Sequence, residues 1–408
     1  MKSASSLNFK EHDHKQRDGL AGAVNPLLIL NTMTYVKYLG ALAIFFLATF
    51  SSCDNGGEPS TSDNNKDREQ ILVNWVDNII KPSYSTFKNR LDQMVSDAEA
   101  FTAAPDIDKL SAFRASWEQA YIEWQKVELF EFGAADQVTL RNFLNIYPAN
   151  VTQINNYILD ESLSLDVPAA YTVQGFPAID YLINGIGPDD AAIVTAFTSD
   201  VNAPQRIAFL NRLTARMNTL LSGVIGVWNG SYRDTFISKT GLDIGSSMGS
   251  VVNAYVLEYE RYVRSGKVGI PAGVFSSGVV QPDKVEAYYK KDLSKKLAVT
   301  ANQAAHDFFL GKNAITGEVG PSFKSYLDAL GAKDNASGTM LSNVIDDQFS
   351  VVSSELNGLA DDFTLQISNN NVAMTEAFAE MQKVVRLLKV DMTSAMSVTI
   401  TYTDNDGD

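Results

Sequence analysis

The chain has 408 residues, enough for two domains, and a hydrophobic fraction of 45%, ordinary for a globular protein with a full core. Its 33 basic residues stand against 48 acidic ones, which argues against nucleic acid and against anionic membranes as partner surfaces. A single cysteine rules out an intrachain disulfide and leaves only the position of that residue, Cys53, to be informative.

Residues Tyr38 to Phe50 form an apolar run of thirteen, preceded by Lys37 and followed by Ser51, Ser52 and Cys53. A helix of that length reaches about 20 Å, short of a ~30 Å hydrocarbon core. A positive start, a short apolar middle and small residues before the cut describe an export signal. The cysteine after the small pair resembles a bacterial lipoprotein signal, with Cys53 lipidated and becoming the first mature residue. Translation from Met33 would give a compact signal. Removing residues 1–52 leaves 28 basic against 45 acidic side chains, a net charge of about −17. An anchor on so acidic a protein must hold the membrane through acyl chains. The expected location is the cell envelope, outer membrane or periplasmic face, with residues 53–66 as a Gly, Ser, Asn and Asp tether.

From Asp67 the pattern is helical. Ile71, Leu72, Trp75 and Ile79 recur at three and four, Pro82 interrupts, and Phe87, Leu91 and Met94 resume. Ile107 to Phe130 carries Phe113, Trp117, Tyr121, Trp124 and Glu128 as one aromatic stripe ending in a carboxylate. Shorter helices are expected at 140–147 and 151–159, a helix at Pro177, and a long one from Pro204 to Val227. A second bundle begins near Trp228. Its first helix, to about Arg264, again sets a carboxylate, Glu258, among Tyr255 and Tyr262. Further helices are expected at 283–310, 342–367 and 372–396, and a short strand at 398–403, where β-branched residues alternate. The expected fold is all-α: two tandem helical bundles, 67–227 and 228–408, packed together, with one C-terminal strand.

The stretch Gly175-Phe176-Pro177-Ala178-Ile179-Asp180-Tyr181-Leu182 is the most informative. Pro177 suits a first helical turn, and Asp180, one turn on, is expected to stay ionised near the positive helix end. The stretch resembles the Gly-x-His-x-x-Glu signature of the imelysin family, with Pro177 in place of His and Asp180 in place of Glu. Trp117 to Gly133 (WEQAYIEWQKVELFEFG) is similar to that family's Trp…Trp-x-x-x-Glu-x-Phe-x-x-Gly helix, and Ser397 to Asp408 resembles its terminal Asp-Gly-Asp strand. The resemblance implies an exported protein grouped with metallopeptidases and with iron-uptake components.

The inventory narrows the chemistry. Beyond residue 52 the one histidine is His306, so a zinc site of His and Cys cannot be assembled, and neither an H-E-x-x-H helix nor a nucleophile elbow occurs. His306 reads as a satisfied or surface histidine. Carboxylates remain: Glu128 and Asp180 are the candidate metal ligands, with Trp117, Trp124 and Glu258 as candidate ligand contacts. Oxygen donors suit a hard cation, iron or calcium, and not zinc. The blander reading is that Glu128 and Glu258 are buried structural acids, with Arg141 a natural partner for Glu128. Three functions follow: a non-peptidase binder of an iron-related cation or small polar ligand in an inter-lobe cleft, a metallopeptidase, or an envelope scaffold.

Overall fold

The computed structural model describes residues 61–403, with side chains from Asn64 onward. The expected export signal, Cys53 and Asp404 to Asp408 lie outside the described residues. The described chain is helical almost throughout, and none of its helices is long and apolar enough to cross a membrane. A first group of helices comprises α1 (Thr61–Asn74), α2 (Lys81–Ala103), α3 (Ile107–Trp124), α4 (Leu140–Leu144), α5 (Gly175–Asp180) and α6 (Ala203–Asn229). A second comprises α7 (Ser247–Leu257), α8 (Ser294–Leu310), α9 (Leu341–Gly358) and α10 (Asn371–Arg386). Within the first group α2 packs on α3 and α6; within the second α9 packs on α8 and α10. Both groups share one continuous hydrophobic cluster. The boundary expected near Trp228 falls inside it, where Trp228 is buried against Phe132, Tyr232 and Phe236.

Pro82 does not break its helix. The turn before it, Trp75–Ile80, widens to π geometry and runs directly into α2. Proline offers no N–H to the carbonyl four residues back, and its ring crowds that carbonyl. That carbonyl, on Asn78, accepts instead from Ala314 N at 2.8 Å. Local helix damage thus becomes a tie between the two groups.

Several expected helices are shorter than their apolar pattern. The aromatic stripe of α3 stops at Trp124, and Glu128 sits on a separate 3₁₀ turn, Glu128–Phe130. Residues 283–293 are mostly irregular, with Ala287 and Lys291 at positive φ, so α8 begins only at Ser294. Asp362 caps a new helix, Phe363–Asn369, and ends the expected continuity from 342 to 367.

The expected strand at 398–403 does not form. A strand needs a neighbouring backbone, and here a side chain takes its place: Asn253 donates to Thr399 O at 2.9 Å and accepts from Thr401 N at 2.7 Å. Tyr402 continues the attachment by donating to Glu260 at 2.7 Å. Asn253→Ala should release this tail, at about 1 kcal/mol per lost hydrogen bond. Hydrogen exchange should show Thr399 to Tyr402 losing protection while the α2 core keeps it.

Candidate functional site

The signature stretch is fixed by one glycine and one aromatic stack. Gly175 has φ +73°, and a Cβ there would collide with the carbonyl of Leu144. Phe176 lies flat on Tyr121 of α3, ring centroids 4.4 Å apart and planes within 2°. Helix α5 ends at Asp180 and passes into a π turn, Tyr181–Gly185. Pro177 and Asp180 wall a recess of about 170 Å³ with Tyr147, Asp283, Tyr288 and Tyr289. Asp180 accepts from Tyr289 N and from the Asn184 amide, both at 2.9 Å. Burial nevertheless pushes its carboxyl up to about 7. The expectation that the helix end keeps it ionised is therefore corrected: a six-residue helix offers little dipole, and desolvation outweighs the donors.

Behind this recess is a buried charge cluster contributed by both helix groups. The first supplies Gln125, Glu128, Arg141 and Asn145; the second supplies Glu258, Lys267 and Glu286. All seven are at most 4% exposed. Lys267 donates to Gln125 Oε1 at 2.5 Å and to Glu286 Oε2 at 2.7 Å, and its Nζ lies 3.9 Å from Glu128. Arg141 Nη2 sits 2.5 Å from Glu258 Oε2 and donates to the Glu128 carbonyl at 3.0 Å. Its guanidinium lies 4.0 Å above the Tyr262 ring. Asn145 bridges the acids, donating to Glu286 at 2.9 Å and Glu128 at 3.2 Å, while accepting from Tyr121 Oη at 2.6 Å.

Three buried carboxyls here face two buried cations. Burial raises Glu128 to about 8, with Glu258 adding to the rise and Lys267 and Arg141 opposing it. Glu258 is also raised by burial, against the pull of Arg141. Lys267 is held above its usual value by Glu286 and Glu128 despite its burial. Burial and their mutual repulsion thus favour the protonated form of both Glu128 and Glu258, against the pull of Arg141 and Lys267.

The two residues singled out as metal ligands are thus not a shared pair. Glu128 belongs to the charge cluster and Asp180 to the recess, with no hydrogen-bonding partner in common. Tyr121 and Tyr147 lie between them, each feeling charges of the cluster. Positive charge around Glu128 comes from Lys267 and Arg141, so the donor set there does not fit a metal ion. Among the described residues no group of three or more His, Cys, Asp or Glu side chains is placed to hold one. Trp117 and Trp124 are fully buried in the aromatic core and do not line the recess. Glu258 pairs with Arg141, as a structural acid would. His306 Nε2 donates to Asp346 at 2.7 Å, and the ring stacks on Phe349.

Sequence reading missed Lys267, Glu286 and Asn145. Lys267 and Glu258 stand at the two ends of a π-helical run, Glu258–Gly269, whose wide turns defeat a 3.6-residue period. Glu286 lies in the irregular segment read as helix. Asn145 carries no pattern of its own.

The family model for Imelysin (peptidase M75) matches residues 80–389, and the chain belongs to the imelysin family. Among curated proteins it is 28% identical over 79 residues to iron-regulated protein A of Synechococcus elongatus (strain ATCC 33912 / PCC 7942 / FACHB-805). That match covers 19% of this chain and 22% of the relative's length. Two crystal structures share the fold. One, described as an iron-regulated protein A precursor from Parabacteroides distasonis ATCC 8503, superposes with a TM-score of 0.67 at 15% identity, covering 84% of this chain and 97% of its own. The other, an imelysin-like protein from Psychrobacter arcticum 273-4, gives a TM-score of 0.63 at 15% identity, covering 86% and 100%.

The pH dependence of stability follows in sign. Glu128, Glu131 and Asp180 have folded values of about 8, 7 and 7, all above their unfolded ones, so the folded state binds more protons between the two. Their burden on the fold is absent at about pH 4 and grows until about pH 8. Paired acids such as Asp77 and Asp346 are lowered and act oppositely, losing stability on acidification. Thermal melts should therefore peak near about pH 5 and decline toward about pH 8. Glu128→Gln should flatten that decline, and infrared spectra at neutral pH should lose a protonated-carboxyl band in this variant.

Proposed function

We propose that this imelysin-family protein is an exported, lipid-anchored binder without peptidase activity, taking an iron-related cation or small polar ligand at the recess beside Pro177 and Asp180. The observation that carries the reading is Pro177. It lines the recess at the position where the signature has histidine, and the one histidine of the described chain is committed to Asp346. Without imidazole, and with Lys267 and Arg141 occupying the carboxylate cluster, the described residues offer no histidine-based site for a water-activating zinc ion.

The recess is lined by oxygen-bearing residues: Asp180, Asp283, Tyr288 and Tyr289, with Tyr147 behind them. Such donors suit hard cations. Its volume of about 170 Å³ admits a hydrated ion or a molecule of a few heavy atoms. Because no three acids converge, a cation would arrive with oxygens of its own, as a small chelate. The names of the relatives, iron-regulated protein A, support a connection with iron. Cys53 is the proposed attachment point, and fatty-acid labelling in cells should disappear in Cys53→Ser.

Titration calorimetry with ferric citrate, Mn²⁺ and Ca²⁺ tests the binding claim. Uptake of at least one of them should weaken about tenfold in Asp283→Asn or Tyr288→Phe, both at exposed rim positions where folding is not at stake. Casein should remain intact on incubation. EDTA-sensitive cleavage, or uptake unchanged by both variants, would overturn the reading.

A further inference from the structure

A second recess lies elsewhere. A groove of about 600 Å³ opens between α2 and the end of α3 on one side and α8 with the 312–317 turn on the other. We propose that it is a second binding site, for a small organic anion with an apolar body, with Lys296 as its anion partner.

The argument begins with charge. In a chain carrying −15, this groove is lined by three lysines and only two acids. Two of the lysines are spent: Lys126 donates to Glu123 at 2.8 Å and Lys312 to Asp307 at 2.9 Å. Both acids of the groove are thereby used, and Gln303 also donates to Asp307. Lys296 is exposed, and while its carbonyl accepts from Thr300 Oγ1 at 2.7 Å, its ammonium has no hydrogen-bond or ion-pair partner among the described residues. The groove thus keeps one uncompensated positive charge, which fits a monoanion and disfavours a cation.

Its remaining surface is amphipathic. Val299, Ala304 and Leu129 supply apolar floor, and Ser83, Thr86 and Thr300 set hydroxyls beside it. At the rim Ile315 is 70% exposed, the apolar tip of a turn that overhangs the groove. This turn is built rather than slack. Asn313 Oδ1 accepts from Ile315 N and Thr316 N, and Ala314 N donates to the Asn78 carbonyl that Pro82 leaves vacant. An occupant would cover Ile315 without the turn having to be ordered first. The volume lies within the range of small-molecule sites.

The site shares no lining residue with the recess at Pro177, so the two are separable by mutation. The test uses the full chain with 8-anilinonaphthalene-1-sulfonate as fluorescent probe and octanoate or octylamine as competitors. The probe should bind, octanoate should displace it, and octylamine should not. Lys296→Glu should weaken both anions about tenfold or more, and Ala304→Trp, which fills the groove, should abolish binding with the circular dichroism spectrum intact. Asp283→Asn, in the other recess, should leave the affinity unchanged. Affinity indifferent to Lys296→Glu, or equal displacement by octylamine, overturns the proposal. Lys296 is exposed, so its variant remains decisive even if Ala304→Trp fails to fold.

Discussion

Two buried cations tie residues 125–145 to residues 258–286 inside the continuous core. Arg141, from one group, faces Glu258 of the other, and Lys267, from the second, reaches back to Gln125 and Glu128 of the first. Such buried ions are costly to desolvate, and replacing the whole set by apolar residues could be neutral or stabilising. What they provide is direction. Apolar helix faces can slide on one another, whereas a lysine that must find Gln125 Oε1 and Glu286 Oε2 at once permits one register.

That same arrangement decides what chemistry the site can perform. Buried carboxyls in one cluster repel one another, and a positive charge relieves that repulsion. Here the protein supplies that charge from its own chain, through Arg141 and Lys267. The proposed ligand site is a separate recess, lined by Asp180 and tyrosines and with a proline where the family signature has histidine. The family relationship is clear from the matched sequence, while the particular activity rests on these local departures.

Much of the architecture was legible from residue spacing. The aromatic stripe of α3 and the long α6 follow their 3.6-residue patterns because each buries one face. Glu128 and Glu258 were correctly marked as acids on core-facing positions. Arg141 was legible as a partner, but Lys267 and Glu286 were not, for a physical reason: Lys267 lies on a π-helical run that changes the face per residue, and Glu286 lies in an irregular segment with no period. The failed strand has a similar cause. Its alternation is real, but the pairing edge is supplied by the side chain of Asn253, which no backbone pattern announces.

The central claim is that Lys267 neutralises the buried acids of both helix groups, and stability of Lys267→Met as a function of pH measures it most directly. Removing one partner of a buried pair costs about 3–5 kcal/mol. The account predicts that this loss is largest near about pH 8, where Glu128 would have to ionise without its cation, and partly recovered near about pH 5, where the acid keeps its proton. A variant as stable as the parent at both pH values, or one destabilised equally at both, would contradict it.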